Sequence, residues 1–191
     1  RQVNHVHPIG LVPEIAPYVI YVDAISKWLV GTGLRLGWAI VPTYLYVPLR
    51  DFMGHVGAWA PRPVQAATVA TLQNTTELTA YWGTLRAQLQ GRLGAIYDHF
   101  QKMKADGLPV DCTTPQGAIY ASTRINLLDK YPTNTDIRRY LLSEARIAVV
   151  PFQAFSLWED SGWFRMSVGA VSKDSLEVGL QRLEEAVRRA V

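Results

Sequence analysis

Cysteine is almost absent from this chain of 191 residues: Cys112 stands alone, so no internal disulfide can form, and no metal-ligating partner lies near it in sequence. A disulfide-stapled scaffold is excluded, and Cys112 is expected to pack in a reducing compartment. Long hydrophobic runs are missing too. No uncharged stretch exceeds the length of Leu36 to Leu49, which is broken by Pro42 and Pro48 and bounded by Arg35 and Arg50, short of the roughly 18 apolar residues of a spanning helix. Nor does one charge dominate. Lys+Arg 19 against Asp+Glu 16 leaves +3, and Arg138–Arg139 and Arg188–Arg189 are the adjacent basic pairs, which is no electrostatic footprint for nucleic acid. His5, His7, His55 and His99 lack ligand spacing, so no metal site is expected. No charged-then-apolar targeting segment follows Arg1, and these residues hold no internal repeat or low-complexity tract. These absences describe a cytoplasmic protein with neither a membrane nor a nucleic-acid partner. Arg1 rather than Met stands first, and the sequence is expected to describe a piece of a longer chain.

What is present suffices for a core. Apolar residues make up 49% and charged residues 18%, with Trp 6, Tyr 9 and Phe 5, a composition that rules out disorder. Val3 to Pro17, with three prolines, reads as loop with at most one short helical turn. Val19 to Val22 and Leu36 to Val41 are β-prone runs of the kind found in strands buried on both faces. Val64 to Leu72 has helical composition, and Pro61 and Pro63 make Ala60 and Arg62 extended. The clearest element follows. Asn74 and Glu77 form a capping arrangement, Leu78, Trp82, Leu85, Leu89, Leu93, Ile96, Phe100 and Met103 recur at steps of three or four, and Gly107 stops the pattern. A helix from Thr75 to Ala105 is about 45 Å long at 1.5 Å per residue, enough to bridge two domains. Beyond it the pattern is α+β: strands at Leu108–Cys112, Gly117–Ile125, Arg146–Val150 and Trp163–Val168, a helix from Asp136 to Glu144, and an amphipathic helix behind Asp174.

Between the two β-prone runs stand Ser26, Lys27, Trp28, Leu29, Val30, Gly31, Thr32, Gly33, Leu34, Arg35, Leu36 and Gly37. A lysine directly after a buried strand, among apolar neighbours, has little water to stabilise its ammonium. Its pKa should fall, which makes the amine a nucleophile toward a carbonyl. Eight residues on, Arg35 follows a turn whose glycines permit tight backbone geometry, and its guanidinium suits a phosphate. An amine beside such a fork matches pyridoxal phosphate, at once an aldehyde and a phosphate ester.

Ser26, Lys27, Thr32, Gly33, Arg35 and Gly37 resemble the cofactor-lysine motif of the class I and II pyridoxal-phosphate-dependent aminotransferases of the fold type I superfamily. The resemblance implies that Lys27 holds the cofactor as a Schiff base and is the catalytic residue, and that Ser26 and Arg35 bind it. Ala24 stands where the family commonly has a second phosphate-binding serine, and Gly31 where an apolar residue is usual. The likeness extends to the C-terminus. Pro115, Gly117, Ala118 and Tyr120 resemble a strand of the family's small domain, and Val150 to Ser156 with Gly162 to Gly169 its closing segment. Arg165 falls on the F-R-x-S arginine that binds the substrate α-carboxylate. An arginine flanked by apolar strand residues should point into protein, where it needs an anionic partner. Trp59, Pro61, Arg62 and Pro63 lie where family members approach the neighbouring subunit, and ordinary loop packing is the plainer expectation for Arg62. The apolar Val56, near a position that carries an arginine in aspartate-specific members, argues against a dicarboxylate substrate.

The resemblance therefore implies an α/β fold. Residues 1–74 would end a fold type I large domain, with two buried strands flanking the cofactor lysine. Residues 75–106 would form a long interdomain helix, and 107–191 an α+β small domain. The implied function is transfer of an amino group between an amino acid and a 2-oxo acid by a homodimer. Another fold type I enzyme such as a C–S lyase, or a non-catalytic ligand-sensing module, is the alternative. In the family, the groups that stack on the cofactor ring and bind its nitrogen precede the lysine strand. Only twenty-six residues precede Lys27, so these 191 residues resemble a C-terminal half and are expected to be inactive alone.

Overall fold

The computed structural model describes residues 6–191, which divide inside one long helix into a unit ending at Thr79 and a unit of residues 80–191. Among the described residues no helix is long and apolar enough to cross a membrane, and no three His, Cys, Asp or Glu side chains gather as metal ligands.

The first unit opens with two short helical turns where at most one was expected, α1 (Pro8–Leu11) and a 3-10 turn (Pro13–Tyr18). Each starts on a proline, whose missing N–H costs nothing in a first turn. Positions before Val6, His5 among them, lie outside the described residues. β1 (Tyr21–Ala24) and β2 (Gly37–Ile40) pair antiparallel, Tyr21 opposite Ile40 and Ala24 opposite Gly37. Between them lie a helical turn α2 (Ile25–Trp28) and a 3-10 turn (Thr32–Leu34).

The two-faced burial expected of these strands is not found. Ile20, Val22 and Ile40 are 51%, 71% and 61% exposed, because a ribbon of two strands buries an apolar face only where a further layer covers it. α3 (Thr43–Val56) has no counterpart in the sequence reading, since Pro48 sits inside it; none of its residues is buried. α4 (Arg62–Gln73) begins at Arg62, which is helical rather than extended. Pro63 stands in its first turn, where the donor it lacks has no intrahelical acceptor anyway.

α5 runs Thr75–Ala105, the span that the leucine and aromatic periodicity marks. Asn74 Oδ1 accepts from the Glu77 N–H at 3.3 Å, and Gly107, at φ 82°, ends the helix in the left-handed conformation.

In the second unit, β3 (Val110–Cys112), β4 (Tyr120–Ile125), β5 (Val150–Pro151) and β6 (Trp163–Ser167) form an antiparallel sheet in the order β3-β4-β6-β5. α6 (Asn134–Tyr140) continues into a π turn, Leu141–Ala145, and α7 (Lys173–Ala190) closes the chain. Both helices start one or two residues before the reading places them. Thr133 Oγ1 caps α6 by accepting from Asp136 N, and Ser172 Oγ caps α7 by accepting from Ser175 N, both at 3.1 Å. The strand expected from Arg146 shrinks to two residues because Arg146 itself is left-handed, at φ 55°. Phe100 and Met103 of α5, Ile125 of β4, Phe164 of β6, Leu141 and Leu183 are without exposure and centre the core. Cys112 belongs to it, and burial pushes its thiol up to about 11.

Candidate active site

The loop between β1 and β2 carries Ser26, Lys27 and Arg35. Its neck is closed where Ile25 N–H donates to Leu36 O at 3.2 Å, and its interior is tied by Leu29 N–H and Gly31 N–H, both donating to Ile25 O. The register sets this neck, and Gly37 permits it. A Cβ on Gly37 would stand 2.9 Å from Asp23 O and 3.2 Å from Ala24 Cβ, so no side chain fits opposite Ala24. The loop's other glycines are not its strained positions. Gly31 is at φ −88°, and the left-handed residues are Val30 (φ 54°) and Arg35 (φ 55°). A β-branched residue there is a true outlier, at a cost of about 1–3 kcal/mol, and such strain gathers where a loop must present side chains in one fixed way.

Lys27 and Arg35 are exposed and Ser26 is half-buried. The desolvation expected around Lys27 is therefore not built by the described residues, and the preceding strand is open, with Val22 exposed. Ile25 is buried, and with Leu29 and Leu34 it faces Val64, Ala67 and Thr68 of α4 across an apolar crevice of about 260 Å³. Arg35 gives one N–H to Thr32 O at 3.0 Å. Trp59 is 58% exposed, and Arg62 and Val56 are exposed as well.

Arg165 lies in the second unit, on β6. Its neighbours Phe164 and Met166 are buried in the core, and because side chains alternate across a strand Arg165 takes the opposite face, half-buried. Its guanidinium carbon lies 4.3 Å from the centre of the Tyr120 ring and 4.6 Å from that of Phe155. The Nε atom is buried without a hydrogen-bond partner, and among the described residues no carboxylate pairs with it. A buried guanidinium N–H left open in this way awaits an acceptor. The sequence reading missed the two rings as its clamp. The register supplies Tyr120: Ser122 faces Arg165 across β4 and β6, so Tyr120 is the diagonal neighbour on the same face.

The turn that bears Phe155 (Phe152–Phe155, 3-10) is tied down by a polar network rooted in the buried Asn134. Asn134, without exposure, donates through Nδ2 to Gln153 Oε1 at 2.9 Å and accepts from Gly162 N–H at 2.8 Å, while its own N–H donates to Asp160 Oδ1 at 2.7 Å. Gln153 Nε2 donates to Asp160 Oδ1 at 2.9 Å and to Glu159 O at 3.1 Å.

Comparison with known proteins gives these features a family. The sequence model described as "Aminotransferase class I and II" matches residues 4–183. An aspartate aminotransferase of Rhizobium meliloti (strain 1021) is 32% identical over an alignment taking in 96% of this chain and 44% of that protein. One from Streptomyces avermitilis is 28% identical, over 94% of this chain and 43% of its own length. The crystal structure of the Rhizobium meliloti aspartate aminotransferase aligns with a TM-score of 0.83 at 28% identity, over 99% of this chain and 46% of that one. The aromatic aminotransferase from Pyrococcus horikoshii OT3 does so at 0.83 and 25% identity, over 100% and 49%. The chain spans less than half the length of these relatives.

Proposed function

The chain belongs to the class I and II aminotransferases, and on that premise we propose that it is the lysine-bearing part of an enzyme that transfers an amino group between an amino acid and a 2-oxo acid. The family uses pyridoxal phosphate. The observation that carries the reading is the loop closed by the Ile25–Leu36 hydrogen bond, which gathers an amine, a hydroxyl and a guanidinium on one short stretch of chain. That donor set suits an aldehyde and a phosphate ester. When bound, the cofactor supplies an electron sink for the carbanion at the substrate α-carbon.

Lys27 Nζ is the group that holds the cofactor's aldehyde and, once released, carries the proton to and from the substrate α-carbon. Ser26 and the N–H groups of Arg35 not given to Thr32 bind the phosphate. The left-handed backbone at Arg35 fixes where that side chain leaves the loop. Arg165 Nε and its neighbouring N–H groups take the substrate α-carboxylate, in a slot walled by the Tyr120 and Phe155 rings. Water exclusion over Lys27 has to come from protein outside the described residues, since both Lys27 and Arg35 are exposed within them. We assign the whole protein a homodimeric, cytoplasmic state, with residues 1–74 as the end of the cofactor domain, 75–106 as the interdomain helix and 107–191 as the small domain.

Borohydride reduction of the full-length protein loaded with pyridoxal phosphate, followed by peptide mapping, tests the assignment. A pyridoxyl adduct is expected on Lys27, and Lys27→Ala should remove it. An adduct on Lys102, Lys104, Lys130 or Lys173 would overturn the reading.

A further inference from the structure

Phe155 presents a difficulty that its surroundings resolve. It forms one wall of the Arg165 slot, yet it is 45% exposed, so burial alone does not hold the ring in place. Its backbone must be held instead. Three interactions do this. Phe152, in the same 3-10 turn, stacks on Trp163 at 6.2 Å, two residues before Arg165 on the same face of β6. Ser156, left-handed at φ 65°, closes the turn with its N–H donating to Gln153 O. Gln153 then anchors the turn through its side chain to Asn134, Asp160 and Glu159.

Asn134 has a double grip. Its Nδ2 holds the Phe155 turn through Gln153, and its Oδ1 holds the N–H of Gly162 at the entrance to β6. Gly162 is itself confined: at φ 74°, a Cβ there would stand 3.0 Å from Ile125 O. One buried amide therefore ties together the two segments whose separation sets the width of the Arg165 slot. Both the Nδ2 and the Oδ1 of that buried amide meet a protein partner, and a hydrogen-bonded amide without exposure holds its partners in one arrangement.

We propose that Asn134 and Gln153 are positioning residues for carboxylate binding: by fixing the Phe155 turn against β6 they hold the Arg165 guanidinium flat between two rings, with its edge toward the anion. This rests on the assignment of Arg165 to the α-carboxylate. Neither residue touches the substrate. Their effect is on the affinity for a carboxylate, because a guanidinium released from one wall loses the orientation that a paired hydrogen bond requires.

The test uses the full-length protein loaded with pyridoxal phosphate and 2-aminoisobutyrate, an amino acid with no α-hydrogen to lose, whose binding is read by calorimetry rather than turnover. Gln153→Met keeps the shape and removes the hydrogen bonds; Phe155→Leu removes the wall. Both should weaken binding about tenfold while the cofactor's visible absorbance stays unchanged, and Phe155→Tyr, which keeps the ring, should recover most of the loss. In an Arg165→Met background, Gln153→Met should add nothing further. If Arg165→Met itself leaves the affinity unchanged, the carboxylate assignment falls and this proposal with it. If Arg165→Met weakens binding but Gln153→Met and Phe155→Leu do not, the positioning role alone is overturned. Should Gln153→Met fail to fold, the exposed Phe155 still decides the matter.

Discussion

Arg35 is exposed at a left-handed position with one N–H on Thr32, whereas Arg165 is pressed between Tyr120 and Phe155 with Nε open. Lysine at either position keeps the charge and loses the planar fork, so the two substitutions should fail differently. Arg165→Lys should weaken amino-acid binding by about ten- to a hundredfold, the worth of a charge-assisted hydrogen bond at roughly 1.5–3 kcal/mol, and leave cofactor affinity nearly unchanged. Arg35→Lys should lower the affinity for pyridoxal phosphate first. Cofactor titration and half-reaction kinetics distinguish them, and matching or reversed defects would refute the division. At this scale the sequence singles out Lys27, Arg35 and Arg165 because each sits in a dense local motif. It does not single out the clamp on Arg165, because Tyr120 lies forty-five positions upstream and only the Ser122–Arg165 register makes it a neighbour. The strain at Val30 was hidden as well, since adjacent glycines suggest themselves as the left-handed residues.

Between elements, α5 and α7 meet through charge. His99 Nε2 lies 3.1 Å and Lys102 Nζ 3.8 Å from Glu184, while Arg188 bridges Glu184 at 2.7 Å and Asp106 at 2.5 Å. Burial holds the His99 imidazole below its ordinary 6.5, with Lys102 adding to the effect; Glu184 and the Leu180 carbonyl oppose it without reversing it. Arg188 holds the Glu184 carboxyl below its ordinary 4.5. Both shifts act in one direction. As pH falls below about 6.5 the unfolded chain takes up a proton at His99 that the folded unit accepts less readily, so stability drops; the Glu184 contribution is lost only below 4.5, as pH falls through its lowered value. Thermal unfolding at pH 7.5 and pH 5.5 should therefore show a loss that His99→Gln diminishes, and an equal loss in both proteins would refute the assignment to His99. The extent of α5 was legible from a periodicity sustained over its whole length. α3 was not, because Pro48 falls among its apolar residues where a helix interior would exclude it, and none of its residues is buried.

For the molecule as a whole, apolar exposure is concentrated in the first unit. Tyr44, Tyr46, Phe52 and Val56 of α3, Val22 of β1 and Ile40 of β2 are each more than half exposed, while the second unit encloses a continuous core. Surface of that kind marks contact with further protein. The isolated 191-residue chain should bind an apolar dye and associate in sedimentation, and a compact monomer that binds no dye would count against this reading. The difference between the units also explains how far the sequence could be read. The second unit meets its own burial requirement, so its strands fall near where hydrophobic patterning puts them; in the first, the patterning anticipates burial that these residues do not provide. One consequence concerns the sole cysteine. With its thiol at about 11 and almost no exposure, Cys112 is closed to oxidants and alkylating reagents for as long as β3 stays paired with β4. Its reaction is thus a clock for the opening of that strand pair, and the chain carries this reporter without any engineered label.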